Sequence, residues 1–316
     1  MSINLSRQES VKSIPNVGIG LRSEHYQTCM EYLERLVHTN SQGNKEFPDF
    51  VEIHAENFFM DGGIVKQLLV DLCKLSPVSI HGTSLGLASH TPIPAAHVKR
   101  FARLVDEVNP ILVSDHACLA WFTDPNTHNT QHAGDLLPFA FDKKTLEATV
   151  RNVTEVQQVI GRQLLVENLS SYLSFDEQSA PSPLCADIHA ETDFYNELCK
   201  RSGCKLLVDL NNLVVNAHNM QIDDAHHYAL SWLDCLDSGL IGEYHIAGCT
   251  PAAKDKLMVD DHSQPVSQQC WQLLPEAQRR CEAPVMIERD NNLPAFSELL
   301  DEVVTAKRLL HSVSKN

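Results

Sequence analysis

Imidazoles and carboxylates recur at one kind of place in this sequence. Short apolar runs end in His54 (FVEIH, 50–54), His81 (VSIH, 78–81), Asp115 (ILVSD, 111–115, followed by His116), Glu167 (QLLVE, 163–167) and Asp209 (KLLVD, 205–209). Two more carry His245 (GEYHIAG, 242–248) and Glu288 (PVMIE, 284–288). Asp260 and His262 follow the GEYHIAG run, and a D-x-H spacing can present two ligands to one ion. Gathered in one cavity, such groups would be buried without counter-charge, which costs several kcal/mol for each unpaired carboxylate. Cations remove that cost. An ion takes about four to six ligands, so a set of this size could hold more than one. Mixed imidazole and carboxylate donors without thiolate suit non-haem iron, manganese or zinc, and open positions suit iron that handles oxygen. Taken singly, a strand-end histidine is ordinarily a hydrogen-bonded structural residue, and Glu167 before Asn168 could cap a loop. The repetition at equivalent positions carries the metal reading. Asp115 and His116 face opposite ways on an extended strand; Asp115, which ends the apolar run, is the expected ligand.

The elements that would gather these groups can be read from the same runs. With VGIGL (17–21) there are eight, each rich in β-branched residues and bounded by Gly, Pro or polar residues, as strands are. Between them lie helix-like segments: 25–38, 63–74, 95–107, 142–160, 187–202, 224–237 and 266–280, with 293–310 closing the chain. Eight strands alternating with helices predict an α/β fold, a (β/α)8 TIM barrel, in which all strand C-termini open onto one mouth. A doubly wound sheet is the second choice, but no G-x-G-x-x-G follows the first strand. The long connections 116–141 and 168–186 suit active-site loops. Residues 1–316 read as one barrel domain, with 1–15 a flexible N-terminal segment.

Composition narrows the function. Among 316 residues, 25 Lys and Arg oppose 41 Asp and Glu, a net charge of −16. That disfavours binding to a nucleic-acid phosphate backbone or an anionic membrane. No apolar run reaches the roughly 20 residues that span a bilayer, and MSINLSRQESVKSIPN lacks the core of a secretory signal, so a cytoplasmic location is expected. The ten cysteines are scattered without a C-x-x-C pair and read mostly as reduced, buried residues. There is no G-x-x-x-x-G-K. A nucleophilic Cys118 or Cys249 is the lesser reading.

Nine strings together resemble the multinuclear non-haem iron-dependent oxidative enzymes, the family of methanobactin-type oxazolone synthases and bufferin-modifying enzymes. They are GLRSEHY (20–26), EIHAENFF (52–59), SIHGTSLGLAS (79–89), VSDH (113–116), VENLSSYL (166–173), LLVDLNNLVVNAHN (206–219), HIAG (245–248), DDHSQPV (260–266) and IERDNNLP (287–294). The resemblance implies a xylose-isomerase-like barrel, two or three iron ions of mixed valence, and O2 as cosubstrate. It implies oxidation of cysteine in a ribosomally made precursor peptide, giving an oxazolone, thiooxazole or related product. It also implies a small partner protein that binds the leader of that peptide. Carried over by position, the ligands are His54, His81, Asp115, Glu167, Asp209, His245, Asp260, His262 and Glu288. Glu167 is the candidate bridge, and Glu167, Asp209 and His245 are the expected catalytic core. Arg22, His25 and Asn57 are candidates to contact substrate. Asn168, Asn211 and Asn212, like Asn57, are neutral donors that could orient carboxylates, and Asn211 could itself ligate. The chain departs from the family at Cys249, where a histidine is common, at Ser263, where glycine is usual, and around Cys118. Two other functions fit the same residues: a divalent-metal sugar isomerase or endonuclease-like hydrolase, and a non-catalytic module that sequesters metal or peptide.

Overall fold

The computed structural model describes residues 17–38, 46–170, 172, 188–254 and 256–313. The expected flexible segment 1–15 and most of the 168–186 connection lie outside the described residues. Eight parallel strands close a barrel: β1 (Val17–Gly20), β2 (Phe50–His54), β3 (Val78–Gly82), β4 (Val113–His116), β7 (Leu165–Glu167), β8 (Lys205–Asp209), β9 (Ile241–Ile246) and β10 (Val285–Ile287). Their order around the wall is β1-β10-β9-β8-β7-β4-β3-β2. These are the eight runs expected from sequence. Most of their residues are buried on both faces, because helices cover the outside and side chains fill the inside, so the runs show little polar alternation.

The helices are α1 (Tyr26–His38), α2 (Ile64–Leu75), α3 (Ala95–Val108), α4 (Lys143–Ile160), α5 (Ile188–Ser202), α6 (Leu210–Asn219), α7 (Ala225–Asp234), α8 (Gln268–Arg280) and α9 (Phe296–Val313). Side-chain caps start several of them. Asp142 accepts from Thr145 N at 2.7 Å, Asp224 from His227 N at 2.9 Å and Ser267 from Cys270 N at 3.1 Å. Asn109 and Gly161 end α3 and α4 in the left-handed conformation. No helix among the described residues is long and apolar enough to cross a membrane. The nine described cysteines are free thiols.

Two elements go beyond the sequence expectation. The 116–141 connection folds into an antiparallel hairpin, β5 (Leu119–Thr123) and β6 (Thr130–Leu137). Its second strand is largely exposed and carries no apolar face for a periodicity reading to find. Helix α6 starts directly at the end of β8 with no loop between them. Asp209 both closes the strand and caps the helix, its Oδ1 accepting from Asn212 N at 2.9 Å.

The 260–262 segment is tied down by a bridge between Gly248 and Gln264, where Gln264 N donates to Gly248 O at 3.1 Å. A Cβ on Gly248 would sit 1.9 Å from the Pro265 carbonyl oxygen. Gly248→Ala should therefore push the two segments apart and cost about 1–3 kcal/mol of stability, read as a shift in the denaturant midpoint.

Candidate metal centre

Strand register decides which side chains enter the barrel. Across β4 and β7, Ser114 pairs with Leu165, Asp115 with Val166 and His116 with Glu167. Paired residues share a face, so His116 points inward beside Glu167 and Asp115 points out. Asp115 is fully buried away from the mouth, accepting from His116 N at 2.7 Å and Leu85 N at 3.1 Å. Its Oδ2 fills the space where a Cβ on Gly82 would lie. The expected choice between these neighbours is thus reversed: His116 joins the cluster and Asp115 does not. Parity alone could not have decided it, because the apolar run gave no inward reference.

The first group is His81, His116 and Glu167. His81 Nδ1 meets Ser114 Oγ at 2.8 Å and His116 Nδ1 meets the Gly82 carbonyl at 3.2 Å. With Nδ1 occupied, each ring presents Nε2 to the same oxygen: Glu167 Oε2 lies 3.4 Å from His81 Nε2 and 3.2 Å from His116 Nε2. That oxygen is buried and has no hydrogen-bond partner. Glu167 also belongs to a second group with Asp209 and His245. Glu288 Oε2 adjoins it, 3.1 Å from His245 Nδ1. The place of Glu167 in both groups is where a carboxylate shared by two cations would stand.

The third group surrounds His262. Its Nε2 lies 2.7 Å from Asp260 Oδ1 and 3.6 Å from Asp209 Oδ2, and its Nδ1 lies 3.4 Å from Glu288 Oε2 and from Asp290 Oδ2. His262 adopts φ 43°, a left-handed conformation unusual for a histidine. Asp290 N donates to its carbonyl at 3.0 Å, and Asn291 Nδ2 donates to Asp261 O at 2.7 Å, holding it there.

His54 sits at the rim with Glu288 and Asp290. The Arg22 guanidinium fills that corner. It bonds Asp290, reaches Glu288 Oε1 at 3.3 Å and contacts His54 Nε2 at 2.8 Å. Arg22 is therefore a buried counter-charge, with its side chain already engaged. His25 lies apart from the groups, bonded to Pro294 O at 2.9 Å and packed on Phe296. Asn57 is exposed on the turn after β2. The other asparagines hold segments that carry the acidic groups of the mouth. Asn168 grips the Asp209 backbone, accepting from its N at 2.8 Å and donating to its O at 3.3 Å. Asn212 Nδ2 donates to Asn168 O at 3.0 Å, and Asn211 Nδ2 to Asp260 Oδ1 at 2.8 Å. His116 ranked second to Asp115 in the sequence, and Asp290, Glu52 and Glu243 were missed. The last two lie two residues before His54 and His245, on the same inward face, and a period of two from those histidines would have found them. Cys118 is fully buried, and burial followed by Asp115 pushes its thiol well up. Burial, then Asp260 and Asp261, push the half-buried Cys249 up to about 11. Neither is poised as a thiolate nucleophile.

The electrostatics match a site that expects cations. Burial pushes the Glu167 carboxyl well above its usual range, and burial with Asp260 raises Asp209 to about 7. Burial holds His81 well below the ordinary imidazole range and His116 at about 4. Glu288 is held well below the carboxylate range: burial opposes its charge, but His262 and His245 outweigh it. Glu167 Oε2 and Asp209 Oδ2 are buried without hydrogen-bond partners, although unpaired polar atoms of this kind are rare in folded proteins. His81 and His116, held neutral with Nε2 turned to the unpartnered Glu167 oxygen, fit divalent first-row metal ions; at His245 and His262 burial opposes the charge, but Glu52 and Glu288, and Asp260 and Glu288, outweigh it and raise both rings well above the ordinary range.

His116→Ala should lower metal uptake, measured by elemental analysis. Asp115→Ala should leave uptake near wild type and cost about 1–3 kcal/mol by orphaning two backbone donors, read by denaturant unfolding. The pH response should follow the carboxylates. Asp209 is raised to about 7 in the folded protein, so its contribution to metal-free stability is fully present below its unfolded value of about 4 and is lost as pH rises through about 7. A bound cation removes that loss. The melting-temperature gain on metal addition should therefore widen from about pH 5 to about pH 8. His116, already neutral above about 4, should add little to this dependence.

Comparison with known proteins agrees with this geometry. A family described as RiPP precursor modification enzyme MbnB/TglH/ChrH matches residues 16–311. A UPF0276 protein of Psychromonas ingrahamii is 32% identical over 291 residues, covering 90% of this chain and 91% of that protein. Another, from Chromobacterium violaceum, is 34% identical over 303 residues, covering 95% and 97%. Among solved structures, endonuclease IV from Thermus thermophilus superposes with a TM-score of 0.52 at 10% identity, covering 94% of this chain and 100% of that one. A xylose isomerase-like TIM barrel protein from Mycobacterium smegmatis, solved in complex with magnesium, gives 0.50 at 13% identity, covering 91% and 90%. At such identity these structures show the shared fold alone. The family match spans nearly all of the chain and includes every strand that contributes to these groups: the protein belongs to the MbnB/TglH/ChrH family of RiPP precursor modification enzymes.

Proposed function

We propose that this protein oxidises cysteine side chains of a ribosomally made precursor peptide, using O2 and two or three iron ions held at the barrel mouth. The observation that carries the reading is the convergence of two neutral imidazoles on a shared, unpartnered carboxylate oxygen, in a chain of a peptide-modifying family. His81, His116 and Glu167 would hold one ion; Glu167, Asp209, His245 and Glu288 a second; and Asp209, Asp260 and His262 a third. Iron bound there would supply redox chemistry with O2 and an acceptor for the substrate thiolate.

The protein's own residues do the rest. Asn168 and Asn212 fix the backbone and carboxylate of Asp209, so that its free Oδ2 faces His262. Arg22 compensates Glu288 and Asp290 and keeps that side of the rim from gathering uncompensated charge. Burial of Glu167, Asp209 and His245 keeps water from their donor atoms. A substrate cysteine would enter from the strand C-terminal end, past Asn57 and the β5–β6 hairpin. The peptide leader would be held by a small partner protein, and the reaction would take place in the cytoplasm.

The test is co-expression with a cysteine-bearing peptide encoded beside this gene, followed by mass spectrometry. Wild type should change the peptide by a few hydrogens at cysteine, only in air. Glu167→Ala should return it unaltered. A protein that purifies with stoichiometric zinc or manganese and works equally without oxygen would instead be a divalent-metal isomerase or hydrolase.

A further inference from the structure

One layer below the mouth the barrel holds a second set of acidic groups that the proposed chemistry does not use. Glu52 on β2 and Glu243 on β9 precede His54 and His245 by two residues, and both are fully buried. Glu52 Oε2 accepts from Ser79 Oγ at 3.0 Å, and Ser79 is its cross-strand partner on β3. Glu52 Oε1 faces His245 Nε2 at 3.5 Å. Donor atoms of Glu52, Glu243 and His245 all lie within 4.8 Å of one another. Glu52 Oε1, both oxygens of Glu243 and His245 Nε2 are buried without hydrogen-bond partners.

We propose that Glu52, held by Ser79, is the positioning residue that fixes the tautomer and orientation of His245. The inference rests on the reading of the mouth as a metal centre. His245 spans the two layers. Its Nδ1 faces Glu288 and the mouth, and its Nε2 faces the floor. A neutral imidazole carries one proton. On Nδ1, that proton would point at Glu288 Oε2, 3.1 Å away. It would then block the ring's lone pair and occupy a carboxylate that the centre needs. An acidic acceptor beneath Nε2 draws the proton downward and leaves the Nδ1 lone pair facing the mouth. Carboxylates behind ligating histidines commonly act in this way. A small tilt of the imidazole would close the 3.5 Å separation. Glu52 touches no substrate in this arrangement and acts only through His245.

The test uses the full-length protein, stripped of metal and titrated anaerobically with iron(II) against a competing chelator. Wild type, Glu52→Gln, Glu52→Leu and Glu243→Gln are compared. If the proposal holds, Glu52→Leu weakens one equivalent of bound iron by about 10–100-fold and leaves the others unchanged. Glu52→Gln, which keeps an acceptor oxygen, loses less. The metal-free melting temperature of either variant should stay level or rise, because a buried charge has been removed. Wild-type affinity for every equivalent in both Glu52 variants overturns the proposal. So does a uniform weakening that tracks a fall in melting temperature, which is what a merely structural role would give. Loss of one whole equivalent in Glu243→Gln overturns it too, because the floor would then hold a cation of its own. Iron uptake by wild type is read separately. If it is absent, the metal centre itself is refuted, together with the inference built on it.

Discussion

Burial of like charge at the mouth of the barrel is the constraint on which the rest of this molecule depends. Glu167, Asp209 and Glu288 are removed from water within a few ångströms of one another, alongside His81, His245 and His262. Carboxylates in such a place either take up protons or find a counter-charge. Arg22 answers for one corner, beside Glu288 and Asp290. Elsewhere the free oxygens of Glu167 and Asp209 have neither a donor nor an ammonium or guanidinium partner among the described residues. Burial raises both carboxyls, so that they hold protons where a bound cation would otherwise stand.

The barrel makes the arrangement rigid. Each side chain of the candidate metal groups on a strand leaves the end of a hydrogen-bonded sheet, so its origin is fixed, and its free rotations are then limited by local contacts. His81 is held by Ser114, His116 by the Gly82 carbonyl, and Asp209 by Asn212 and the start of α6. The exception is the 260–262 segment, which comes from a loop. The Gly248–Gln264 bridge, the Asn291 side chain and the left-handed backbone at His262 take the place of the sheet there. Precision at sites of this kind comes from contacts behind the ligands as much as from the ligands themselves.

The fold is shared with endonuclease IV and with a xylose isomerase-like protein, at identities that carry no information about reaction. What separates this chain from them is therefore sought in the side chains of the mouth and in family membership. Cys249 lies beside Asp260 and Asp261, near the third group. Its raised thiol argues for a passive neighbour of the loop.

Much of this was legible in the sequence. The eight strands and the chemistry at their ends follow from local pattern, because a buried parallel strand is a short apolar run and the residue that ends it stands at the barrel mouth. His81, Glu167, Asp209, His245 and Glu288 could be singled out on that basis alone. The facing of Asp115 and His116 could not, because it is set by register against β7, a relation between distant segments. Nor could the capture of Arg22 by Asp290, a contact 268 residues apart in sequence. The inner acids Glu52 and Glu243 look like ordinary polar residues in a strand until the barrel closes and leaves no water on their side. Local sequence determined which chemical groups the chain brings to its strand ends. Only the closed sheet decided which of them face one another, because direction and desolvation are properties of the assembled barrel.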